Sequence, residues 1–98
     1  MQEARKGAGK GAIMTEFNYV INDRQGIHAR PAGQFVKEAA SFPCEVRIAK
    51  DGKEVDAKRI LGVMGLGAKC GETITVKTDG EREAEATEHL KKFLAENL

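Results

Sequence analysis

The hydrophobic period changes several times along this chain, and this change constrains the fold more than any other feature. Four short stretches alternate apolar and polar residues, as strands with one buried and one exposed face do. They cover residues 15–21, 44–50, 54–57 and 72–77. Strands of a parallel sheet are usually buried on both faces and continuously apolar, so the alternation favours an antiparallel sheet with one face open to water.

Between these stretches the period becomes helical. A first helix is predicted from about residue 29 and ends before residues 41–43, with Pro31 in its first turn, where a missing N–H breaks no helical hydrogen bond. Residues 59–67 predict a short helical turn followed by a glycine-rich loop, and residues 81–98 predict a long final helix. The resulting order, β-α-β-β-α-β-α, predicts an α+β domain with all helices on one face of the sheet.

The composition is that of one small soluble domain. The chain has 98 residues, of which 41% are hydrophobic and 32% charged, and its formal net charge is +1. A dedicated nucleic-acid-binding domain normally carries a strong basic excess, so nucleic acid is not an expected partner. No apolar run is long enough to span a membrane, so membrane insertion is not expected either.

The start of the chain and its cysteines suggest where the protein works. Residues 1–13 lack the apolar run of a secretory signal and are interpreted as a flexible leader or tag ahead of a domain covering residues 14–98. Cys44 and Cys70 lack CxxC spacing, so we expect two free thiols in a reducing cytoplasm. No metal site is expected, because neither histidine lies at ligand spacing from a cysteine.

One histidine lies at the start of a predicted helix, a position that stabilises a bound anion. The stretch "GIHARPAGQFVKEAA", residues 26–40, places His28 directly before the first predicted helix. The free N–H groups and the dipole of a helix N-terminus stabilise an anion, and Arg30 adds a guanidinium that can bind phosphate oxygens. Because a neutral imidazole is a nucleophile, these parts predict a histidine that accepts and holds a phosphoryl group. The alternative is that His28 only caps the helix and Arg30 is a solvated charge.

The neighbours of this histidine argue against a hydrolase. No carboxylate, serine or cysteine adjoins His28 in the sequence, so we expect nothing beside it to activate water or accept an acyl group. Gly26 is expected to let the preceding loop turn tightly and to leave the imidazole uncrowded. The second histidine, His89, lies among charged residues of the final helix and is interpreted as a surface side chain.

A second candidate surface lies in the stretch "RILGVMGL", residues 59–66. It holds more apolar side chains than one short helical turn can bury: Ile60, Leu61, Val63, Met64 and Leu66. Two interpretations stay open at this point. Some of these side chains form an exposed docking patch, for which a flexible methionine is suited, or the segment fills the small core.

Two stretches, "GIHARPAGQFVKEA" and "LGVMGLGAKCGETITV", resemble the HPr family, the histidine-containing phosphocarriers of the bacterial phosphoenolpyruvate-dependent sugar phosphotransferase system. The resemblance extends from about Thr15 to Leu98. It implies an open-faced β-sandwich in which a four-stranded antiparallel sheet carries three helices on one face. It also implies that enzyme I phosphorylates His28 on its δ nitrogen, and that the phosphoryl group then passes to the IIA domain of a sugar permease.

The same resemblance assigns roles to the neighbouring residues. Arg30 matches the arginine that neutralises the phosphate. The positions that match the partner-docking face are Ala29, Gly33, Ile60, Leu61 and Met64. The implied protein is a cytoplasmic relay carrier rather than an enzyme, with no cofactor or metal, and we expect a monomer that also meets regulatory proteins.

The chain departs from the family pattern at Arg59. Carriers from Gram-positive bacteria have a serine there, which a dedicated kinase phosphorylates in catabolite repression. An arginine cannot accept that phosphate, so we expect the switch to be absent and the added charge to favour acidic partners. Two alternatives to the sugar-system carrier stay open: a regulatory binding module with the same fold, and the carrier of the nitrogen branch or of another phosphotransfer chain.

Overall fold

The predicted order of elements is confirmed by a computed structural model, which describes residues 15–98. The elements are β1 (Thr15–Val20), α1 (Ala29–Ala40), β2 (Glu45–Lys50), β3 (Lys53–Asp56), α2 (Ile60–Gly65), β4 (Thr73–Asp79) and α3 (Glu83–Asn97). The interpretation of residues 1–13 as a leader, and the start of the domain at residue 14, lie outside the described residues. No helix within residues 15–98 is long and apolar enough to cross a membrane.

The four strands form one antiparallel sheet in the order β1-β4-β2-β3. Burial alternates along β1 and β4, because one sheet face meets the helices and the other meets water. On the open face, Glu54 bridges Arg47 and Lys77 across three strands. The fold is therefore the expected α+β open-faced sandwich.

The turn between β2 and β3 explains how these two strands pair so closely. Asp51 and Gly52 have φ values of 51° and 83°, so both central positions of the turn lie at positive φ. A type I′ turn requires this, and its twist matches that of the strands it joins. The hairpin predicted from Asp51-Gly52 is confirmed.

The core lies between the sheet and the three helices. Fully buried side chains come from the inward face of the strands and from one stripe of each helix. The largest fully buried side chains, including Ile21 directly after β1, are Phe35, Ile21, Ile48, Ile74, Leu90, Leu94, Val46, Val63, Val76 and Thr78. The apolar spacing of the two long helices thus points into this core, as their sequence predicts.

Helices α1 and α2 lie side by side, which brings two distant parts of the chain together. A Cβ on Gly33 would lie 3.6 Å from Cδ1 of Ile60, an ordinary van der Waals distance. The N-terminal half of α1 and the first turn of α2 therefore share one surface of the molecule.

Candidate functional site

His28 is the N-cap residue of α1, yet its side chain does not cap the helix. Its backbone is extended, with φ of −109° and ψ of 178°, and no side-chain cap hydrogen bond forms. Only its carbonyl oxygen takes part in the helix, accepting from Ala32 N at 2.9 Å. His28 therefore caps α1 through its backbone alone, and its side chain is not used as a cap. The imidazole is left half-buried, with 36% of the side chain exposed, and reachable from solvent.

The surroundings of the imidazole favour an anion. The first N–H groups of a helix have no partner within it, and here they lie directly after His28. No acidic residue stands in the first turn of α1 to compete for these groups. Arg30 is exposed in the same turn, and it forms no ion pair with any residue between 15 and 98. A phosphoryl group at His28 would meet these amides and a guanidinium that is free of any such pairing.

A carboxylate does adjoin His28, contrary to the sequence-based expectation. Asp23 Oδ2 lies 3.3 Å from His28 Nε2. The loop between β1 and α1 folds back so that two residues five positions apart meet. Sequence reasoning missed this pair because it considered only immediate neighbours. The available signal was an acidic residue within the same short loop, and the argument against a hydrolase that rested on a missing carboxylate no longer holds.

Gly26 is required by a neighbouring segment of the chain as well as by its own turn. Its φ is +69°, and a Cβ there would lie 2.9 Å from Lys69 Cα and closer still to the carbonyl oxygen of Ala68. Ile27 N donates to that same oxygen at 3.0 Å. Any side chain at position 26 would therefore clash with the backbone of Ala68 and Lys69 and displace the loop that carries His28.

The segment of α2 divides its apolar residues between the core and the solvent. Val63 and Leu66 are buried, whereas Leu61 is 84% exposed, and Ile60 and Met64 are 38% and 39% exposed. Val63 and Leu66 thus fill the core, Ile60, Leu61 and Met64 stay exposed, and a docking role for the exposed three stays a prediction.

The remaining positions that the resemblance assigns to docking lie on the adjacent helix. Ala29 is exposed and Gly33 half-buried, and Gly33 lies beside Ile60. The structure therefore places all five positions on α1 and α2, on the surface that these two helices share. We use the name docking face for the surface predicted to contact partners, which is made of Ala29, Gly33, Ile60, Leu61 and Met64.

A shallow groove borders the docking face. It has a volume of about 390 Å³ and is lined by Val36, Lys58, Arg59, Ile60, Leu61 and Gly62. Arg59 is the N-cap residue of α2, exposed and without a side-chain cap hydrogen bond. Lys58 is partly held, since its Nζ donates to the carbonyl of Phe42 at 2.8 Å. The apolar face therefore has a cationic edge.

His89 is an exposed side chain of α3, as expected. Its Nε2 lies beside Glu38 Oε1 of α1, and its ring centroid is 5.5 Å from that of Phe42. The groove around it, of about 300 Å³, is also lined by Lys92, Phe93 and Glu96. His89 and His28 lie on different parts of the surface, and the structure does not bring them together.

The two cysteines are free thiols, as the sequence indicates. Cys44 is buried and Cys70 is exposed. Burial raises the pKa of the Cys44 thiol, which keeps it protonated and unreactive.

Comparisons with known proteins agree with this arrangement. A sequence model of the family described as "PTS HPr component phosphorylation site" matches residues 15–96. The chain is 46% identical to the HPr-like protein Crh of Halalkalibacterium halodurans over 81 residues, which are 83% of this chain and 96% of that protein. It is 45% identical to the phosphocarrier protein HPr of Buchnera aphidicola over 76 residues, which are 78% of this chain and 89% of that protein.

The fold has a counterpart among solved structures. The crystal structure of the phosphocarrier protein HPr from Bacillus anthracis superposes with a TM-score of 0.78 at 40% sequence identity, covering 83% of this chain and 96% of that one. Sequence and fold agree over the same part of the chain, and this part includes His28 and both helices of the docking face. The chain therefore belongs to the HPr family of phosphocarrier proteins.

Proposed function

We propose that this protein accepts a phosphoryl group from phosphorylated enzyme I on His28 and passes it to IIA domains of sugar permeases. The observation that carries the proposal is the imidazole of His28, which stands at the N-terminus of α1 without being used to cap it. A side chain in that position is reachable, nucleophilic and surrounded by groups that stabilise an anion.

The roles of the surrounding groups follow from charge. The transferred phosphoryl group is anionic, so the free amides of the first turn and the guanidinium of Arg30 stabilise it on His28. No metal or cofactor is needed for this transfer, since the two partners supply and remove the group. The protein is then a substrate and product of its partners rather than an enzyme.

The docking face supplies the contact with both partners. Leu61 is the most exposed of its apolar side chains, and Ile60 and Met64 are partly exposed. The flexible side chain of Met64 can adapt to partner surfaces of different shape. A carrier must leave each partner quickly, so the interface should be small and short-lived. The cationic edge formed by Lys58 and Arg59 favours partners with acidic residues next to an apolar patch.

Arg59 also affects regulation. It occupies the N-cap of α2, where the resemblance places a regulatory serine in carriers from Gram-positive bacteria. An arginine has no hydroxyl group to phosphorylate, so a serine kinase would find no acceptor at this position. We expect no phosphorylation of this kind and a charge here that is permanent.

The test is phosphorylation by enzyme I and phosphoenolpyruvate. The wild type should gain an acid-labile phosphoryl group and then lose it to an added IIA domain. His28→Ala should gain none, and His89→Ala should behave as the wild type, because solvent reaches both imidazoles but only His28 directly precedes a helix. Labelling that persists in His28→Ala would refute the proposal.

A second candidate function is a regulatory binding module. The similarity to two HPr-like Crh proteins, at 46% and 43% identity, favours it. A module used only for binding could dispense with the histidine, whereas this chain combines His28 with Arg30 and Pro31. Binding to a regulator that survives His28→Ala, together with undetectable phosphotransfer from enzyme I, would favour this function. Transfer from the enzyme I of a nitrogen branch instead would assign the carrier to that chain.

We further propose that the protein acts as a monomer in the cytoplasm. Cys44 and Cys70 are both free thiols, as is usual for proteins of a reducing compartment. Among similar proteins, structures are described of a Crh dimer and of an HPr dimer. Light scattering after gel filtration tests the monomer directly, and a mass of two chains would contradict it.

A further inference from the structure

Asp23 is the one carboxylate among residues 15–98 that is hydrogen-bonded to the proposed phosphoryl acceptor. Its Oδ2 is 3.3 Å from Nε2 of His28, and the two side chains are 27% and 36% exposed. None of the described residues forms a hydrogen bond to Nδ1, the other ring nitrogen. The two nitrogens of this imidazole therefore have different surroundings.

The loop fixes the orientation of this carboxylate. Asp23 Oδ1 accepts from Gln25 N at 2.8 Å, which closes an Asx turn. The backbone of Asp23 is tied on both sides, since its N–H donates to the Leu98 backbone oxygen at 2.8 Å and its carbonyl accepts from Gly26 N at 2.9 Å. With Oδ1 held by the turn, Oδ2 is left to face the imidazole.

The charge state of Asp23 decides which ring nitrogen carries the proton. The hydrogen bond from Gln25 N, and after it the contact with His28, hold the pKa of this carboxyl below its usual value of 3.8. Near neutral pH the carboxylate is ionised and only accepts hydrogen bonds. Nε2 must then be the donor, and Nδ1 carries the lone pair in the neutral ring.

We propose that Asp23 is a positioning residue for His28, holding the Nε2 proton so that Nδ1 is the atom that takes the phosphoryl group. This inference rests on the phosphocarrier function proposed above. It adds to that function a residue that selects the reacting atom through the ring, without touching the phosphoryl group itself.

The transfer step shows what the carboxylate contributes. The lone pair of Nδ1 forms a bond to phosphorus, the bond from phosphorus to the donor breaks, and the donor keeps that electron pair. The Nε2 proton stays in place, so the phosphorylated ring is an imidazolium. Asp23 stabilises the positive charge that develops on the ring. It also repels an anionic phosphoryl group that approaches from the Nε2 side, so both proton and charge disfavour reaction there.

The test uses potassium phosphoramidate, a small reagent that phosphorylates imidazole and releases ammonia. All variants carry His89→Ala. Because the chain has only two histidines, His28 is then the single imidazole that can react. Two-dimensional ¹H–³¹P and ¹H–¹⁵N spectra then distinguish phosphorylation at Nδ1 from that at Nε2. Because no enzyme I is present, the role of Asp23 is measured separately from the proposed function.

The decisive variant is Asp23→Asn. Its amide oxygen can still close the turn with Gln25, while its NH₂ group would face Nε2 and donate to it, moving the ring proton to Nδ1. Asp56→Asn is the matched control, because Asp56 Oδ1 closes the same kind of turn with Lys58 N at 2.9 Å but contacts no histidine. Asp23→Ser, which can also close the turn but carries no charge, is the second variant.

The expected result is a difference in both rate and product. The parent and Asp56→Asn should give the Nδ1 product alone, at equal rates. Asp23→Asn should react about tenfold more slowly and give detectable Nε2 product, and Asp23→Ser should also give both products. Equal rates with only the Nδ1 product in both Asp23 variants would overturn the inference. If this selectivity held but enzyme I phosphorylated no version of the protein, the proposed function would fail while the role of Asp23 would stand.

Discussion

The two histidines of this molecule each lie beside a carboxylate, and yet their surroundings differ. His28 pairs with Asp23 directly before the first turn of α1, where helix amides and Arg30 favour negative charge. His89 pairs with Glu38 along the body of α3, away from any helix N-terminus. The groove around His89 contains two carboxylates and one ammonium group, so it opposes a phosphoryl group. A histidine–carboxylate pair is therefore common to both places, and we expect the surrounding charges, rather than the pair, to decide which histidine accepts a phosphoryl group.

The two regions also differ in how they are packed. α3 contributes Leu90 and Leu94, both fully buried, to the core next to His89. The region of His28 presents exposed side chains on α1 and α2 instead. We propose that one side of the molecule serves stability and the other serves contact and transfer, and the following predictions test this division.

The largest expected effect is on stability, at Leu90. Leu90→Ala should lower the free energy of unfolding by roughly 3 kcal/mol, because it leaves a cavity in a core that cannot collapse fully around it. Denaturant unfolding followed by circular dichroism measures this loss. At a temperature where the variant stays folded, its rate of phosphorylation by enzyme I should equal that of the wild type. A folded Leu90→Ala protein with slow transfer would contradict the division.

The next effect is on transfer, at Arg30. Arg30→Ala should slow phosphorylation of His28 about tenfold, because a hydrogen bond from a charged group to the phosphoryl oxygens contributes about 1.5 kcal/mol. Its melting temperature should match that of the wild type, since Arg30 is exposed and forms no ion pair with residues 15–98. The control is Lys92→Ala, which removes a cation from the groove of His89 and should leave the rate unchanged.

Partner contact should respond at Leu61. Leu61→Ala should raise the KM for enzyme I about fivefold with little change in kcat, because truncating an exposed apolar side chain at an interface costs about 1 kcal/mol of binding. Val20→Ala is the matched control, since Val20 is also an exposed apolar residue, 48% exposed, but lies on β1 at the sheet edge. Equal KM values for both variants would remove Leu61 from the docking face.

The smallest effect concerns the pH dependence of stability that the Asp23 carboxylate contributes. Its folded-state pKa is depressed below 3.8, mainly by the hydrogen bond from Gln25 N. The stability that it contributes is therefore present above pH 3.8 and is lost as the pH falls through the folded-state pKa. The difference in unfolding free energy between the wild type and Asp23→Asn should shrink over that acidic range. A difference that stays constant there would show that the Asp23 carboxylate has no such linkage.

The sequence predicted what depends on local pattern. The alternating strands, the start of α1 at Ala29 and the turn at Asp51-Gly52 all follow from hydrophobic period and backbone preference, and the structure confirms them. For α2, the sequence indicated that its apolar residues could be exposed or buried, but not which of them would be exposed. A helical period explains why Val63 and Leu66 face the core together, but which other residues stay outside depends on where α1 lies.

Contacts made by loop geometry could not be predicted in this way. The approach of Asp23 to His28 depends on how eight residues of loop fold between β1 and α1, and no period describes that path. The need for glycine at position 26 comes from the backbone of Ala68 and Lys69, more than forty residues away. The first feature became visible only once the path of this loop was known, and the second only once distant parts of the chain were placed together.

The central claim is that His28, and not His89, receives the phosphoryl group. Its most direct test is tandem mass spectrometry of the protein after a short incubation with enzyme I and phosphoenolpyruvate, with all steps kept alkaline to preserve the phosphoramidate bond. We predict one phosphoryl group per chain, located on His28, and an unmodified His89. A phosphoryl group on any other residue, or none under conditions in which a known carrier is fully modified, would contradict the account.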